Sequence, residues 1–454
     1  MNNPLHQRRA GILLHPTSLP SGKMDDDAIN WLNFMQDAGL SVWQVLPLGF
    51  PQLSLSPYLC NSAFAMNPAL LDDYPELVAD DPSFLQWIDD QSYWLEDFVL
   101  YCILRQENQE KAWFDWPEPH KHRELAALKL AKETNHAYFV AICWEQYQLD
   151  TRWQYVKQQA AERDIAIFGD MPIFVAHDSA DVWANRECFL LDEDGQPELV
   201  AGVPPDYFSE TGQRWGNPHY NWEHIKATGF EWWIERMKHH YRLYDIVRID
   251  HFRGLQASWM IPASCETAID GYWQEVPGAE LLTTLMESLG DVSMVAEDLG
   301  MITPEVTKLR DQFELPGMSV LQFSFDGFED NPHKPENIHQ NRIVYTGTHD
   351  NDTTLGWYNS LEQHQQDFVY ERLGKSHDTP ICPALIESAM ATEACLAVVP
   401  LQDFLQLDTE SRMNTPGTVE NNWLWRFDWQ QIPETLASEI KHTVVTHQRL
   451  KESN

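Results

Sequence analysis

The chain has 454 residues, 43% hydrophobic and 22% charged, which is ordinary globular usage with enough apolar side chain to fill a core. Its 31 basic and 69 acidic residues give a net charge of −38, a field that repels phosphate backbones and anionic membranes, so nucleic acid and membrane surfaces are excluded as partners. Seven cysteines without CxxC spacing predict free thiols in a reducing compartment, and no apolar run suits a signal peptide or a membrane span, so we expect a cytoplasmic protein.

Eight short apolar runs, rich in Val and Ile and bounded by Gly, Pro or Asp, have the pattern of strands buried on both faces. In chain order they are residues 11–14, 42–48, 165–175, 245–249, 293–296, 319–323, 342–346 and 396–399. Amphipathic stretches with helical spacing lie between them, for example residues 28–38, 138–163 and 230–242. This alternation implies parallel strands joined by crossover helices, and eight such units predict an α/β fold, a (β/α)8 TIM barrel.

We expect one (β/α)8 domain over residues 1–454, with insertions where two intervals are too long for simple crossovers. Residues 60–140, with Trp and acidic residues in a mixed helical pattern, predict an inserted helical subdomain. Residues 177–225, rich in Gly, Pro and aromatics, predict an inserted loop region of the active site. Both are expected over the C-terminal mouth of the barrel, where barrel enzymes build their active sites. Residues 326–341 read as a long surface loop.

Polar residues gather where the predicted strands end. The fourth strand runs into Arg248-Ile249-Asp250-His251, the fifth into Glu297-Asp298 and the seventh into His349-Asp350-Asn351. If the barrel closes, three carboxylates from three strand ends converge on one pocket. Retaining glycosidases need a nucleophilic carboxylate and an acid/base carboxyl in such a pocket.

Asp250 and Glu297 fit these two roles. Arg248 lies two residues before Asp250 on a strand, so both side chains point to one face and the guanidinium is expected to keep the nucleophile ionised. Glu297 must instead stay protonated at neutral pH, which partial burial among other carboxylates favours by raising its pKa. A single Asp at a strand end is more often a helix cap or a turn residue, and an Arg-x-Asp pair is also compatible with a structural ion pair. Three acidic strand ends in one barrel favour catalysis.

The residues around these positions resemble the signature segments of the amylomaltases, the 4-α-glucanotransferases or disproportionating enzymes related to α-amylases. The segments at the strand ends are Arg248-Ile249-Asp250-His251-Phe252-Arg253-Gly254, Ala296-Glu297-Asp298-Leu299-Gly300 and Thr348-His349-Asp350-Asn351. Further similar segments, in the same order and spacing, are Ser56-Pro57-Tyr58, Gly169-Asp170-Met171-Pro172-Ile173, Asp178-Ser179-Ala180-Asp181-Val182-Trp183 and residues 202–218. Residues 414–423 match the family's C-terminal motif only in part.

The resemblance implies a role for each matching residue. Asp250 corresponds to the nucleophile, Glu297 to the general acid/base, and Asp350 to a third carboxylate that grips hydroxyls of the distorted sugar. Substrate-binding roles are implied for Tyr58, Asp170, Asp206, Trp215, Arg248, His251 and His349. Tyr58 stacks on the sugar ring, and residues 202–218 form a long loop over the acceptor side.

Most of the 19 tryptophans are expected in the core, since a large aromatic side chain more often fills a core than binds a ligand. Trp215 is the exception, because its Gly- and Pro-rich surroundings make burial in a regular core improbable. We expect no metal and no cofactor, because neither a His-x-x-x-His pair nor a carboxylate-rich loop has metal-binding spacing.

The predicted function is therefore a 4-α-glucanotransferase that cleaves an α-1,4-glucosidic bond and passes the glucan to the 4-hydroxyl of an acceptor, through a covalent glucosyl–Asp250 intermediate with retention. Maltooligosaccharides, maltodextrin or glycogen-derived glucans are the expected donors and acceptors, with glucose as a further acceptor. Two alternatives stay open at this point. One is an α-amylase-like retaining hydrolase, which uses the same two carboxylates and differs in the exclusion of water. The other is a non-catalytic glucan-binding regulator, which would not need an acid/base pair.

Overall fold

The computed structural model describes residues 3–52, 54–205, 209–418 and 420–451. Within them lie twelve β-strands and sixteen α-helices. The strands are β1 Arg9–Leu13, β2 Val42–Gln44, β3 Ala166–Met171, β4 Leu199–Val203, β5 Gln213–Pro218, β6 Ile246–Ile249, β7 Ala257–Pro262, β8 Tyr272–Glu275, β9 Ser293–Ala296, β10 Gly317–Val320, β11 Arg342–Tyr345 and β12 Leu396–Pro400.

Eight of these strands form a parallel sheet in the order β10-β11-β12-β1-β2-β3-β6-β9. Each coincides with one of the eight apolar runs, so the predicted (β/α)8 barrel is confirmed. The bounds differ by a few residues, most of all in the third run, where β3 ends at Met171 and leaves residues 172–175 outside the sheet. Pro172, which has no backbone N–H to give to a ladder, follows the strand directly.

Alternate residues of the barrel strands fill its interior. Ile246 packs inside with Phe168 and Val295, whereas Val247 and Ile249 pack outward against the helices. Because side chains alternate along a strand, Arg248 shares the inward face with Ile246. A cation therefore lies at the top of an apolar barrel core.

The barrel closes incompletely between its two end strands, β9 and β10. No ladder joins them, and the N–H of Ala296 donates to the carbonyl of Pro316 at 2.8 Å. A side chain adds a second link across this edge, since the N–H of Met318 donates to the carboxylate of Asp298 at 2.7 Å. The position directly after Glu297 is therefore part of the closure.

The helices lie outside the barrel or in the insertions. They are α1 Asp26–Asp37, α2 Pro82–Asp90, α3 Leu95–Glu107, α4 Glu118–Lys121, α5 Leu125–Thr134, α6 His136–Glu162, α7 Ala180–Ala184, α8 Trp222–Ala227, α9 Glu231–Leu243, α10 Gly278–Leu289, α11 Pro304–Gln312, α12 Thr354–Ser360, α13 Gln363–Leu373, α14 Ile381–Ala391, α15 Leu401–Phe404 and α16 Leu436–Thr446. The three helices expected near residues 28–38, 138–163 and 230–242 are α1, α6 and α9. Within the described ranges, none of the helices is long and apolar enough to cross a membrane.

The interval 60–140 contains α2 to α5 and the beginning of α6. Local sequence explains where α2 begins: the side chain of Asp81 accepts the N–H groups of Ser83 and Phe84, and Pro82 occupies the first helical position. The apolar face of α3, including Phe98, Tyr101 and Leu104, is buried. The division into one barrel domain with two insertions stays a prediction.

A second sheet, of four antiparallel strands in the order β5-β4-β7-β8, was not predicted from the sequence. It combines residues of the 177–225 interval with β7 and β8, which follow the fourth barrel strand. The segment 202–218, expected as a long loop, therefore begins in β4 and ends in β5. Gly202 is required at its place because a Cβ there would lie 2.1 Å from the carbonyl oxygen of Gln213 on the paired strand.

Candidate active site

Four of the predicted site residues lie at the C-terminal ends of three neighbouring barrel strands. Asp170 is the second-last residue of β3. Arg248 is in β6 with Asp250 directly after this strand, and Glu297 directly follows β9. Since β3, β6 and β9 are adjacent and in register, with Asp170 opposite Arg248, these side chains meet at one end of the barrel. We call this end the mouth.

Arg248 connects two of the carboxylates. Its Nη1 donates to Oδ2 of Asp170 at 2.5 Å, and its Nη2 lies 2.9 Å from Oδ1 of Asp250. Although burial opposes the charge, Asp170 and Asp250 raise the pKa of Arg248 well above its ordinary value. The guanidinium is therefore a fixed cation, and the two carboxylates it binds hold it in one orientation.

Glu297 is held by the backbone. Its Oε2 accepts the N–H of His251 at 2.8 Å, and its Oε1 accepts the N–H of Leu299 at 2.9 Å. His251 adopts the left-handed conformation, with φ of +53°, which directs its N–H towards Glu297. Burial raises the pKa of Glu297, against the lowering effect of Arg248 and of these two N–H donors. A raised pKa is what we expect for a general acid.

Asp250 differs from the expectation that Arg248 alone would keep it ionised. Burial raises its pKa to about 8, Arg248 lowers it, and the neighbouring carboxylates of Asp170, Glu297 and Asp350 raise it further. Asp250 and Glu297 are thus both carboxyls with raised pKa values in one electrostatic environment. Each of the two carboxyls therefore keeps its proton to a higher pH than an exposed carboxyl does.

Tyr58 and His349 form a stacked wall beside Asp170. The two rings lie 5.3 Å apart at 13°, and the Tyr58 hydroxyl donates to Oδ2 of Asp170 at 2.7 Å. Nε2 of His349 lies 2.9 Å from the same hydroxyl and 3.4 Å from Oδ2 of Asp350. Because the hydroxyl proton goes to Asp170, we assign the proton of the His349 ring to Nε2. Burial lowers the pKa of His349, so this ring is neutral.

Comparisons with known proteins identify the family of this chain. The family described as 4-alpha-glucanotransferase matches residues 14–79 and 72–431. The chain is 43% identical to the 4-alpha-glucanotransferase of Synechocystis, over 96% of this chain and 97% of the relative, and 43% identical to that of Thermus thermophilus, over 95% and 96%. The chain belongs to the 4-alpha-glucanotransferase family. It is accordingly a transferase, as predicted.

A solved structure of an amylomaltase has the same fold as this chain. The amylomaltase from Streptococcus agalactiae, solved in complex with acarbose, superposes with a TM-score of 0.94 at 31% identity, covering 98% of this chain and 100% of that one. The predicted resemblance to amylomaltases is therefore confirmed. In this member of the family, Asp350, Trp215 and His251 also lie at the mouth, together with three residues that were not predicted from the sequence.

Asp350 is the most exposed of the three carboxylates and is held from the C-terminal part of the chain. Nδ2 of Asn414 donates to its Oδ1 at 2.6 Å, and Nη2 of Arg412 donates to its backbone carbonyl at 2.6 Å. Sequence reasoning assigned neither residue to the site. The only signal was the partial match of residues 414–423 to the family's C-terminal motif.

Trp423 is a third residue that sequence reasoning left out of the site. Its ring centroid lies 5.9 Å from that of Tyr58 and 6.0 Å from that of His349, with both pairs tilted. Its φ is +65°, a costly conformation for a bulky side chain, and the N–H of Trp423 donates to the carbonyl of Met413 at 2.8 Å. A strained aromatic residue thus extends the wall formed by Tyr58 and His349.

The rings of Trp215 and His251 contact each other beside Glu297, to which the backbone of His251 is bound. Trp215, on β5, is 37% exposed, as expected for a residue outside the core, and its ring meets that of His251 edge-on at 4.9 Å. Burial lowers the pKa of His251 to about 3, so His251 is neutral. Asp206, the remaining predicted contact, lies outside the described residues.

Carboxylates, one guanidinium group and histidine rings border the mouth. In the parts of the chain that the structure describes, no group of three or more His, Cys, Asp or Glu side chains is arranged to hold a metal ion. The mouth combines one fixed cation, two carboxyls with raised pKa values and two neutral histidine rings.

Proposed function

We propose that this 4-alpha-glucanotransferase works by double displacement on α-1,4-glucans, with Asp250 as nucleophile and Glu297 as general acid and base. The observation that carries the proposal is the placement of both carboxyls at adjacent strand ends, with Arg248 on Asp250 and two backbone N–H groups on Glu297. One carboxyl carries a cation partner and the other is fixed by neutral donors. This difference favours the carboxylate form of Asp250 and the protonated form of Glu297.

In the first step, Asp250 attacks the anomeric carbon as the glycosidic bond breaks, and Glu297 gives its proton to the departing 4-oxygen. The products are a glucosyl ester on Asp250 and a shortened glucan with a free 4-hydroxyl. Arg248 stabilises the carboxylate form of Asp250 before the attack, and it keeps its second partner, Asp170, when Asp250 becomes a neutral ester.

In the second step, the 4-hydroxyl of an acceptor attacks the anomeric carbon of the glucosyl ester, the bond from that carbon to Asp250 breaks, and Glu297 takes the hydroxyl proton. Asp250 leaves as carboxylate, and the new bond has the α configuration of the old one. Maltooligosaccharides, maltodextrin and glycogen-derived glucans serve as donors and acceptors, and glucose serves as an acceptor.

The surrounding side chains bind the sugar whose bond is broken. Tyr58 stacks on the ring, while His349, Asp350 and Arg248 reach its hydroxyls. Asp170 lines the same pocket, and its Oδ1 is buried without a partner among the described residues, which leaves it free to accept a sugar hydroxyl. Trp215, His251 and Asp206 contact the acceptor.

The most specific test traps the proposed ester. In Glu297→Gln, a maltosyl fluoride donor still forms the ester because fluoride leaves without protonation, whereas the return step lacks its base. We expect intact-mass spectrometry to detect a stable maltosyl adduct, and peptide mapping to place it on Asp250. The Asp250→Asn, Glu297→Gln double variant is the control and should remain unmodified.

An adduct on another residue, or no adduct in Glu297→Gln under conditions where the wild-type enzyme consumes the fluoride, would contradict the assignment.

We also propose a cytoplasmic location, which rests on seven scattered cysteines that the structure leaves unpaired.

A further inference from the structure

Asp298 is a buried carboxylate beside Glu297 for which the proposed chemistry has no use. Its Oδ2 accepts from Nη1 of Arg310 at 2.5 Å and from Nη1 of Arg342 at 2.6 Å. Its Oδ1 accepts from the N–H of Met318 at 2.7 Å. Two guanidinium groups and one backbone donor therefore bind one side chain.

These partners come from both sides of the incomplete barrel closure. Asp298 follows β9, Met318 is in β10, Arg342 is in β11 and Arg310 is in α11. Because β9 and β10 share no ladder, this ion cluster adds to the backbone hydrogen bond from Ala296 to Pro316 at that edge. It joins the strand end that carries Glu297 to the opposite end of the sheet.

The cluster also reaches the nucleophile. Met318, whose backbone is bound to Asp298, contacts Nε of Arg248 through its Sδ at 3.4 Å. Arg248 in turn binds Asp250. Asp298 is thus one residue from the acid/base carboxyl in sequence, and three contacts from the nucleophile in space.

The space around the cluster is fitted closely. A Cβ on Gly317 would lie 2.0 Å from Nη1 of Arg342 and 2.5 Å from Oδ2 of Asp298. Any side chain at position 317 would therefore displace the ion cluster. A glycine at this position is what the geometry of the cluster requires.

We propose that Asp298 is a positioning residue for the catalytic pair: across the β9–β10 edge it fixes Glu297 directly and Asp250 through Met318 and Arg248. The inference rests on the proposed roles of Glu297 and Asp250. It adds an electrostatic part to a structural one, since the negative charge of Asp298 acts on Glu297.

The charged groups that face Glu297 and Asp250 determine whether a substitution at Asp298 raises or lowers the pKa values of the two carboxyls. Glu297 faces Arg248 and Asp298, and Asp250 faces Arg248, Asp170 and Asp350. Asp298 itself faces Arg310, Arg342 and His333, whose pKa burial lowers to about 4, so that His333 is neutral. Removing the charge of Asp298 leaves Arg342 without its carboxylate partner and Arg310 with Asp311 alone, which favours loss of the proton on Glu297. Removing Arg310 has the opposite effect.

The test measures kcat and KM on maltotriose as a function of pH for wild type, Asp298→Asn and Arg310→Gln. We expect Asp298→Asn to lower kcat about tenfold or more with little change in KM, and to move the alkaline limb of kcat/KM by roughly half a unit to lower pH. Arg310→Gln should move that limb to higher pH. A role in stability alone does not produce shifts of opposite sign.

Asp150→Asn is the matched control. Asp150 is also buried, and it accepts from the indole of Trp87 at 2.7 Å and from the guanidinium of Arg242. This variant should lose thermal stability and keep the wild-type alkaline limb.

Folded Asp298→Asn with wild-type kcat and alkaline limb would overturn the proposal, as would shifts of the limb in the same direction in both variants. If Asp298→Asn gives no cooperative melting curve, an unmoved limb in Arg310→Gln overturns it. Glu297→Gln separates the two hypotheses. Wild-type turnover in Glu297→Gln contradicts the acid/base assignment, whereas loss of turnover there together with wild-type values in Asp298→Asn contradicts the role of Asp298.

Discussion

At the scale of single residues, the two proposed catalytic carboxyls need opposite protonation states in the same environment. Burial raises the pKa of both, and the differences between them are Arg248 on Asp250 and backbone N–H groups on Glu297. The Arg-x-Asp spacing identified the partner of Asp250 from the sequence alone. The net direction of its pKa could not be read from sequence, because it depends on burial and on carboxylates from three other strand ends.

Loss of either carboxyl should remove the chemical step. We expect Asp250→Ala and Glu297→Gln each to lower turnover of maltotriose at least about a thousandfold, some 4 kcal/mol of barrier. Neither change should prevent folding, because both side chains lie at the mouth rather than in the apolar interior. Steady-state rates, measured on preparations with a wild-type melting curve, check this. Rates within a few fold of wild type in either variant would rule out its assigned role.

The raised pKa of Asp250 also predicts a pH-dependent cost to stability. A carboxyl whose pKa is higher in the folded state, here about 8 against an ordinary 3.8, binds its proton more tightly when folded, so its contribution to stability falls as pH rises from about 4 to 8. Asp250→Asn has no such group. We expect it to be more stable than wild type by at least about 1 kcal/mol at pH 8, and nearly equal at pH 4.

Denaturant unfolding of both proteins across this pH range measures the difference in free energy of unfolding. A variant that is less stable than wild type at pH 8, by an amount that does not change with pH, would contradict a raised pKa at Asp250. Such a result would mean that the ion pair with Arg248 outweighs burial.

At the scale of elements, strands were predictable where pairing is dictated by a continuous apolar run, as in β6, β9 and β12. The antiparallel sheet was not, because β5 contains Gly216 and Pro218 and has an exposed first half, so that its composition resembles a loop. What makes it a strand is pairing with β4, which itself pairs with the distant β7. Long-range pairing of this kind leaves no local signal.

The position of Trp215 on β5 gives a testable separation of acceptor binding from donor cleavage. If this aromatic residue holds the acceptor beside His251, Trp215→Ala should lower transfer to added glucose about tenfold or more, and lower release of the leaving group much less. Tyr155→Ala, a change at another exposed aromatic residue on α6, is the control and should affect neither rate. Equal losses in release and in transfer would contradict a role at the acceptor side.

The lack of regular structure after β12 explains why Asn414, Arg412 and Trp423 were not predicted as site residues. They follow the last barrel strand, β12, in a segment with little regular structure, and they reach the mouth through individual contacts with Asp350, Tyr58 and His349. No periodicity marks such contacts. Strand-end carboxylates are predictable because the barrel topology places them, whereas residues contributed by loops require the folded coordinates.

At the scale of the whole molecule, segments from distant parts of the chain border one mouth. The loop bearing Tyr58 and the segment bearing Trp423 meet on the side proposed for the donor, and β5 with Trp215 lies on the side proposed for the acceptor. The net charge of −38 is no obstacle to a neutral glucan. A bordered mouth limits access of water to the ester on Asp250, while a second glucan bound there presents its 4-hydroxyl at an effective concentration that can reach roughly 10⁵ M or more.

Incubation of the enzyme with purified maltotriose tests the central claim most directly, because transfer makes one α-1,4 bond for each one broken. We expect glucose together with a ladder of maltodextrins longer than the substrate, separated by size, and almost no net gain in reducing ends. Glu297→Gln at the same concentration is the blank. A steady rise in reducing ends that matches the bonds cleaved, with no product longer than maltotriose, would identify a hydrolase and contradict the account.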